Sequence, residues 1–237
     1  MKEQIEELKR KSDKIDDLIK KRIVDETDGK KTVILDGIVN IEEYCKVKYK
    51  ILWIMKEAND TDGGGWDMRE FMGDKKELCN YNLWRKTYEP IIYSAYSILN
   101  GFPKWNDIPD TAEKPEMIDV LRNIAFINLK KIPGSSVSDH NTIGEAYKKD
   151  KDIIKLQIDA YNPDIIICGN TFTFLSPDLD IPEYKMINSG DSATYYIKND
   201  RIYISAYHPN QRMHGQEQYC NDIINAVEQW VKSRGKN

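Results

Sequence analysis

Four short apolar segments, each followed by a polar loop, limit what this 237-residue chain can fold into. They are rich in β-branched residues, which is typical of strands buried on both faces of a sheet. The segments are residues 50–55 (KILWIM), 125–129 (AFINL), 164–168 (DIIIC) and 202–206 (IYISA). Most connections between them are long enough for a crossover, and crossovers join parallel strands. We therefore expect an α/β fold with a mainly parallel sheet covered on both faces.

Helical periodicity fills much of the sequence between these segments. Apolar residues recur every three or four positions in residues 82–100, 143–161 and 216–232, and Pro163 marks the end of the second helix. Residues 194–198 and 201–205 are joined by Asn199-Asp200. That pattern predicts a tight hairpin, which adds one antiparallel strand to the sheet.

The first 22 residues carry their own amphipathic pattern. Ile5, Leu8, Ser12, Ile15 and Ile19 recur at spacings of three and four, with Glu and Lys between them. We expect a helix that docks on the body of the protein; a short coiled coil with another chain is the alternative. The predicted organisation is an N-terminal helical extension, residues 1–30, followed by one α/β domain, residues 31–237.

Composition excludes several classes of protein. No window approaches the roughly 20 apolar residues of a membrane span, and no signal peptide is visible. The cysteines show no CxxC pair and no metal-ligand spacing; they are Cys45, Cys79, Cys168 and Cys220. We expect reduced thiols, no metal, no cofactor, no membrane partner and a cytoplasmic location.

The charge balance bears on nucleic-acid binding. A net charge of -4 argues against broad capture of nucleic acid by a basic surface, but it leaves room for a local basic patch. The candidate members of such a patch are Lys130, Lys131, Lys148, Lys149, Lys151 and Arg212.

The residues that follow the strands are unusually polar. In parallel sheets the ligand crevice lies beyond the carboxyl ends of the strands, so these residues are the candidate site. The first strand is followed by KEAND and then GGGW, and the second ends within LKKIPG. The third is followed by GNT and the fourth by YHPNQR. The loops bring a carboxylate, amides, an imidazole and a guanidinium to one edge of the sheet.

Each of these side chains also has a plainer interpretation. Glu57 and Asp60 suit a helix cap or a solvated loop, His208 suits a structural histidine, and Arg212 suits a surface ion pair. Asn128 differs because it lies inside an apolar strand, where a buried amide needs hydrogen-bond partners. That position favours recognition of a ligand at least as much as a structural role.

In the order of these segments, the chain resembles the uracil-DNA glycosylase superfamily, and in particular its bacterial glycosylase-like members of unknown function. ILWIMKEAND is similar to the motif that holds the water-activating acid. FINLKK is similar to the strand whose Asn reads uracil, and AYHPNQR to the terminal loop whose His assists the leaving base. PDIIICGNT is similar to the intervening strand and turn.

The resemblance implies a three-layer α/β/α sandwich with a mainly parallel four-stranded central sheet. It also implies a DNA-repair hydrolase that cleaves the N-glycosidic bond of a base flipped out of the stack. Carried over, Glu57 activates water, His208 stabilises the departing base and Asn128 binds it. The implied substrate-binding residues are Asn128, Asn59, Asp60, Trp66, Asn210 and Arg212, with Phe71 as a second candidate for the stacking ring.

Two alternatives remain open at this point. Ala58 occupies the position where the most active branch of the family has an Asp, which is compatible with a protein that binds nucleic acid or a nucleotide without catalysis. The other alternative is an interaction module whose working part is the N-terminal helix.

Overall fold

A computed structural model describes residues 1–24, 30–81 and 84–234 of the chain. The strands are β1 (Gly37–Ile38), β2 (Ile51–Met55), β3 (Ala125–Asn128), β4 (Ile165–Gly169), β5 (Ile187–Asn188), β6 (Ala193–Lys198) and β7 (Arg201–Ala206). The α-helices are α1 (Lys2–Arg22), α2 (Ile41–Lys46), α3 (Met68–Gly73), α4 (Lys75–Asn80), α5 (Trp84–Leu99), α6 (His140–Tyr161), α7 (Phe172–Leu175) and α8 (Gln216–Arg234). Short 3-10 helices cover Trp105–Asp107, Pro115–Asn123 and Glu183–Lys185.

The described strands form one mixed sheet of seven, in the order β1-β3-β2-β4-β7-β6-β5. The four predicted apolar segments are confirmed as its centre, where β3, β2, β4 and β7 pair in parallel. The expected number of four strands is wrong, because antiparallel β1 extends one edge and antiparallel β6 and β5 extend the other. β1 and β5 have two residues each, too few to leave a periodic signal in the sequence.

The predicted hairpin between β6 and β7 is confirmed. Lys198 pairs with Arg201 across the turn, and the two turn residues between them have positive φ angles, 51° at Asn199 and 61° at Asp200. Two consecutive positive φ angles define the tight turn whose twist matches that of paired strands, and Asn and Asp tolerate them best after Gly.

Helices cover both faces of the sheet, as predicted. Ile51 and Trp53 of β2 pack on one side in a core cluster that includes residues of α5 and α8. Leu52 and Ile54 point to the other side, into a cluster that includes residues of α6. This alternation along one strand is what makes β2 apolar throughout, since it has no solvent-facing side.

The N-terminal helix α1 docks on the body, as predicted. Ile15 and Ile19 are buried with Ile153 of α6 in a third apolar cluster. Arg69 on α3 donates to Asp16 of α1 at 2.7 Å. The boundary between residues 1–30 and 31–237 stays a prediction, because residues 25–29 beside it lie outside the described residues. Residues 82 and 83, where one predicted helix begins, and residues 235–237 also lie outside them.

We expect Ile19→Ala to lower the free energy of unfolding by about 2–5 kcal/mol, because its side chain is fully buried and truncation leaves a cavity. Urea unfolding followed by circular dichroism measures this change. The exposed Lys14→Ala, one turn away on the same helix, should change it by less than about 0.5 kcal/mol. Equal stability of the two variants would show that α1 is not part of the folded core.

No helix within residues 1–24, 30–81 and 84–234 combines the length and the apolar character that a bilayer crossing requires.

Candidate functional site

The parallel order of the central strands brings the predicted site residues to one edge of the sheet. Asn128 is the last residue of β3 and pairs with Met55, the last residue of β2. Glu57 follows two positions after Met55, and His208 follows two positions after the end of β7. β4 lies between β2 and β7, so the span from Asn128 to His208 covers four adjacent strands.

The chain segments after β2 and β3 stay paired beyond the strand ends. The backbone N–H of Leu129 donates to Met55 at 2.8 Å, that of Lys130 to Lys56 at 2.9 Å, and that of Gly134 to Ala58 at 2.9 Å. Ordered pairing of this kind fixes the backbone of both loops. Glu57 and Asn128 are therefore carried on neighbouring, rigid segments.

Glu57 is held from two sides. Its side chain is only 5% exposed, and its Oε2 accepts a hydrogen bond from Lys130 Nζ at 2.5 Å. The carboxylate lies over Gly134, where an added Cβ would fall 2.0 Å from Glu57 Cδ. Glycine at position 134 is therefore the residue that leaves room for this carboxylate. The other carboxylate oxygen, Oε1, accepts no hydrogen bond from the described residues.

Asn128 combines burial with an unused side chain. The residue is 3% exposed, and its backbone N–H donates to Asp36 Oδ2 at 2.8 Å. Its side-chain amide makes no hydrogen bond to any described residue of the protein. The amide atoms are not among the fully enclosed polar atoms that lack a partner in the described residues, so they remain accessible from solvent. An amide held without an internal partner is suited to recognise an external group.

An aromatic cluster lies on the same face of the sheet as Asn128. Its members are Trp66, Phe71, Tyr81, Tyr88 and Phe126. Trp66 and Phe71 meet edge to face with centroids 5.8 Å apart, and Tyr88 reaches Phe126 at 6.2 Å. Phe126 precedes Asn128 by two positions on β3, so both side chains point to one face. Both predicted stacking rings, Trp66 and Phe71, thus belong to a cluster that extends to the strand carrying Asn128.

Asp60 organises the glycine loop. Its carboxylate accepts from the Trp66 indole N–H at 2.7 Å and from the backbone of Gly64 at 2.9 Å. Burial disfavours the charged form, but these donors outweigh burial and lower the pKa of Asp60. Gly64 has a φ of 82°, and a Cβ there would fall 2.1 Å from the carbonyl oxygen of Thr32. Asp60 therefore positions Trp66, whereas Asn59 beside it is exposed.

His208 is a neutral hydrogen-bond donor in this structure. Burial, together with the positive charge of Lys56, lowers the pKa of His208 to about 4. Its Nδ1 accepts the backbone N–H of Asn210 at 3.1 Å, so the neutral ring carries its proton on Nε2. This leaves an N–H group for a ligand at the edge of the sheet.

We expect the stability of the protein to fall as pH decreases from 6.5 to 4 through His208. In that window the unfolded chain protonates this histidine while the folded protein keeps it neutral, so protons favour unfolding. Urea midpoints measured from pH 4 to pH 8 for wild type and His208→Asn test this. The wild type should lose more stability than the variant below pH 6.5; parallel curves would contradict a half-buried ring that stays neutral.

The residues after His208 line an open groove of about 290 Å³. Asn210 and Arg212 form one wall, and Lys86 and Glu89 of α5 form the other. Arg212 is exposed, and neither Glu57 nor Asn128 lines this groove. The predicted site residues therefore fall into two groups. Asn210 and Arg212 line the groove, whereas Glu57, Asn128 and His208 lie at the edge of the sheet beside it.

The predicted basic patch needs a correction. Lys131 is not a surface cation, because its side chain is 1% exposed and its Nζ donates to both oxygens of Asp36, at 2.7 and 2.8 Å. Burial lowers the pKa of Lys131 in spite of that carboxylate. Gln157 of α6 closes the network by accepting from Lys131 and donating to Asp36. Lys130 is likewise engaged, by Glu57.

Asp36 is a site residue that sequence reasoning missed. Its carboxylate holds both Lys131 and the backbone of Asn128, so it fixes the end of β3 from beneath the site. The signal was present, since Asp36 lies in the otherwise apolar run VILDGIV. A fully buried carboxylate in such a run requires a partner charge.

The described residues contain no cluster of His, Cys, Asp or Glu that could hold a metal ion. Cys168 and Cys220 are free and buried, and burial raises the pKa of each to about 12. They are structural thiols.

Comparison with protein-family models and with curated proteins gives no match for this chain.

Proposed function

We propose that this protein is a DNA N-glycosylase that hydrolyses the bond between deoxyribose and a deaminated or damaged base. The observation that carries the proposal is the side-chain amide of Asn128, which belongs to a residue only 3% exposed and has no hydrogen-bond partner among the described residues. An amide presents a donor and an acceptor together, which is the pattern required to read the edge of a nucleobase. Uracil is the first base to test, given the resemblance in the motifs.

Each neighbouring group has a role in this proposal. The flipped base stacks on the ring of Trp66 or Phe71 while Asn128 hydrogen-bonds its edge. Glu57, whose Oε2 is bound by Lys130, orients a water molecule through Oε1 towards C1′ of the sugar. Water adds to C1′ and gives one proton to Glu57, the N-glycosidic bond breaks, and the bonding electron pair leaves with the base. The Nε2–H of His208 donates to the oxygen on which negative charge develops.

The groove beside this edge fits the DNA strand that carries the base. Arg212 and Lys86 are exposed cations on its two walls, suited to contact phosphates. Such contacts position the strand and carry no sequence information. Binding through them should weaken steeply as salt rises.

Release of free base from synthetic oligonucleotides tests the proposal. Uracil, hypoxanthine and xanthine would each be placed at a single position in single-stranded and double-stranded DNA. The proposal expects release of at least one of these bases by wild-type protein. Absence of release from every substrate would count against it.

A non-catalytic binder of nucleic acid or nucleotide is the second candidate. The close pairing of Glu57 with Lys130 favours it, since the ion pair occupies one of the two carboxylate oxygens. This candidate expects equilibrium binding of a uracil-containing oligonucleotide that survives Glu57→Gln, without base release by the wild type. Base release that depends on Glu57 would exclude it.

A further inference from the structure

Glu89 is an enclosed carboxylate that lines the groove beside the proposed site. The residue is 8% exposed, and three described residues donate to its side chain. Thr111 Oγ1 at 2.5 Å and Arg85 Nη1 at 3.2 Å donate to Oε1. Gln216 Nε2 donates to Oε2 at 3.3 Å. These contacts fix the position of the carboxylate in the groove.

Glu89 and Gln216 together keep one acceptor and one donor for a ligand. A carboxylate offers about four lone-pair sites, and the described contacts use two on Oε1 and one on Oε2. Gln216 must turn its NH₂ group towards Glu89, because an ionised carboxylate only accepts. The second N–H of that group makes no hydrogen bond to a described residue. An acceptor and a donor thus lie 3.3 Å apart, on two residues that line the groove.

The loop that carries His208 also forms one wall of this groove. Asn210 lines the groove, and its backbone N–H donates to His208 Nδ1 at 3.1 Å. The Gln211 side chain accepts the N–H of His214 at 2.8 Å and donates to the His214 carbonyl at 2.9 Å, which orders the rest of the loop. A base held in the groove is therefore a neighbour of the base assigned to His208.

Charge determines which part of a DNA strand reaches Glu89. Lys86 and Arg212 are exposed on the two walls, whereas Glu89 is enclosed. Phosphates are attracted by the exposed cations and repelled by the carboxylate, so the backbone stays near the cations. The part that reaches Glu89 is then the edge of a base. A groove of about 290 Å³ is at the small end of ligand sites, which suits a single base.

We propose that this groove binds a cytosine or adenine base next to the flipped nucleotide. Each of these bases carries an amino group beside a ring nitrogen that accepts a hydrogen bond. The amino group donates to Glu89 Oε2, as carboxylates accept from the cytosine amine in other protein–DNA contacts, and the ring nitrogen accepts from Gln216 Nε2. Thymine has the reverse pattern, and its carbonyl oxygen would face the carboxylate. This inference rests on the proposed function and adds the class of base that neighbours the damaged one.

Equilibrium binding of undamaged single strands tests the base preference without any excision. Fluorescence anisotropy would compare oligodeoxycytidine with oligothymidine of equal length at mildly alkaline pH, where cytosine is uncharged. The wild type should bind the cytosine strand about 5–150-fold more tightly, the range for a good pair of hydrogen bonds to one base edge. Where the wild type releases uracil, cytosine on both sides of it should give faster release at low DNA concentration than thymine does.

Two variants assign the preference to the groove. Glu89→Gln keeps the size of the side chain and offers an NH₂ group that suits thymine, so the preference should disappear. Gln216→Met removes the donor and should also abolish it, and this half-buried position tests the same pair even if Glu89→Gln folds poorly. Gln218→Met is the matched control, because Gln218 is exposed on the same helix and does not line the groove; the preference should persist.

Equal binding of the two strands by the wild type would overturn the inference and leave base excision untouched. A preference that either groove variant keeps, or equal uracil release from the two flanking sequences, would do the same. A preference that both groove variants lose, in a protein that releases no base, would support the groove as a base-binding site and count against the glycosylase.

Discussion

Asn128→Ala should lower single-turnover release of uracil by about 10²–10³-fold, the effect of removing one preorganised side chain that hydrogen-bonds the base while charge develops on it. The reason is that the Asn128 amide has no task inside the described fold, so its binding capacity is available to the base. Release of labelled base under excess enzyme measures the chemical step. The exposed Asn141→Ala, on the first turn of α6, is the matched control and should behave as wild type.

Stability separates recognition from a structural role at the same position. Asn128→Leu replaces an amide that has no partner in the described fold by an apolar group of similar size, which should leave the free energy of unfolding unchanged or raise it. An amide that served the fold would cost about 1–3 kcal/mol when its partners were left unpaired. Loss of activity without loss of stability would support the assignment, whereas marked destabilisation by Asn128→Leu would contradict it.

Lys131→Met should lower the free energy of unfolding by about 3–5 kcal/mol, the cost of removing one partner from a buried ion pair. The substitution leaves Asp36 fully buried with its charge uncompensated, while Gln157 also loses a donor. Urea unfolding measures the change. Because Asp36 also binds the backbone of Asn128, base release should fall in the same variant.

Two further variants serve as controls for the buried ion pair. Lys131→Met with Asp36→Leu removes both charges and should recover much of the lost stability. Lys11→Met breaks an exposed helical pair with Glu7 and should cost no more than about 0.5 kcal/mol. A loss below about 1 kcal/mol for Lys131→Met alone would show that the buried network contributes little.

The parallel centre of the sheet was predictable because each of its strands is a continuous apolar run. The number of strands was not, since β1 and β5 are held by their neighbours and not by their own composition. The docking of α1 was predictable because its sequence has an apolar stripe, and such a stripe is stable only when other residues cover it.

The candidate site was partly predictable. Asn128 was conspicuous as an amide within an apolar strand, and His208 and Glu57 followed from the rule that sites lie beyond strand ends. Lys131 was misassigned to the surface because its burial depends on Asp36, which is 95 positions earlier in the chain. The role of Asp60 in holding Trp66 depends on the folded glycine loop, so the sequence alone could not distinguish it from a binding residue.

The central claim is that Glu57, Asn128 and His208 form one base-excising site. The most direct test compares wild type with Glu57→Gln on an oligonucleotide that carries a single uracil, measuring base release and equilibrium binding together. We expect release by the wild type, a loss of about 10²–10⁴-fold in Glu57→Gln, and binding that persists in both. Equal release by the two proteins, or no release by the wild type, would contradict this claim.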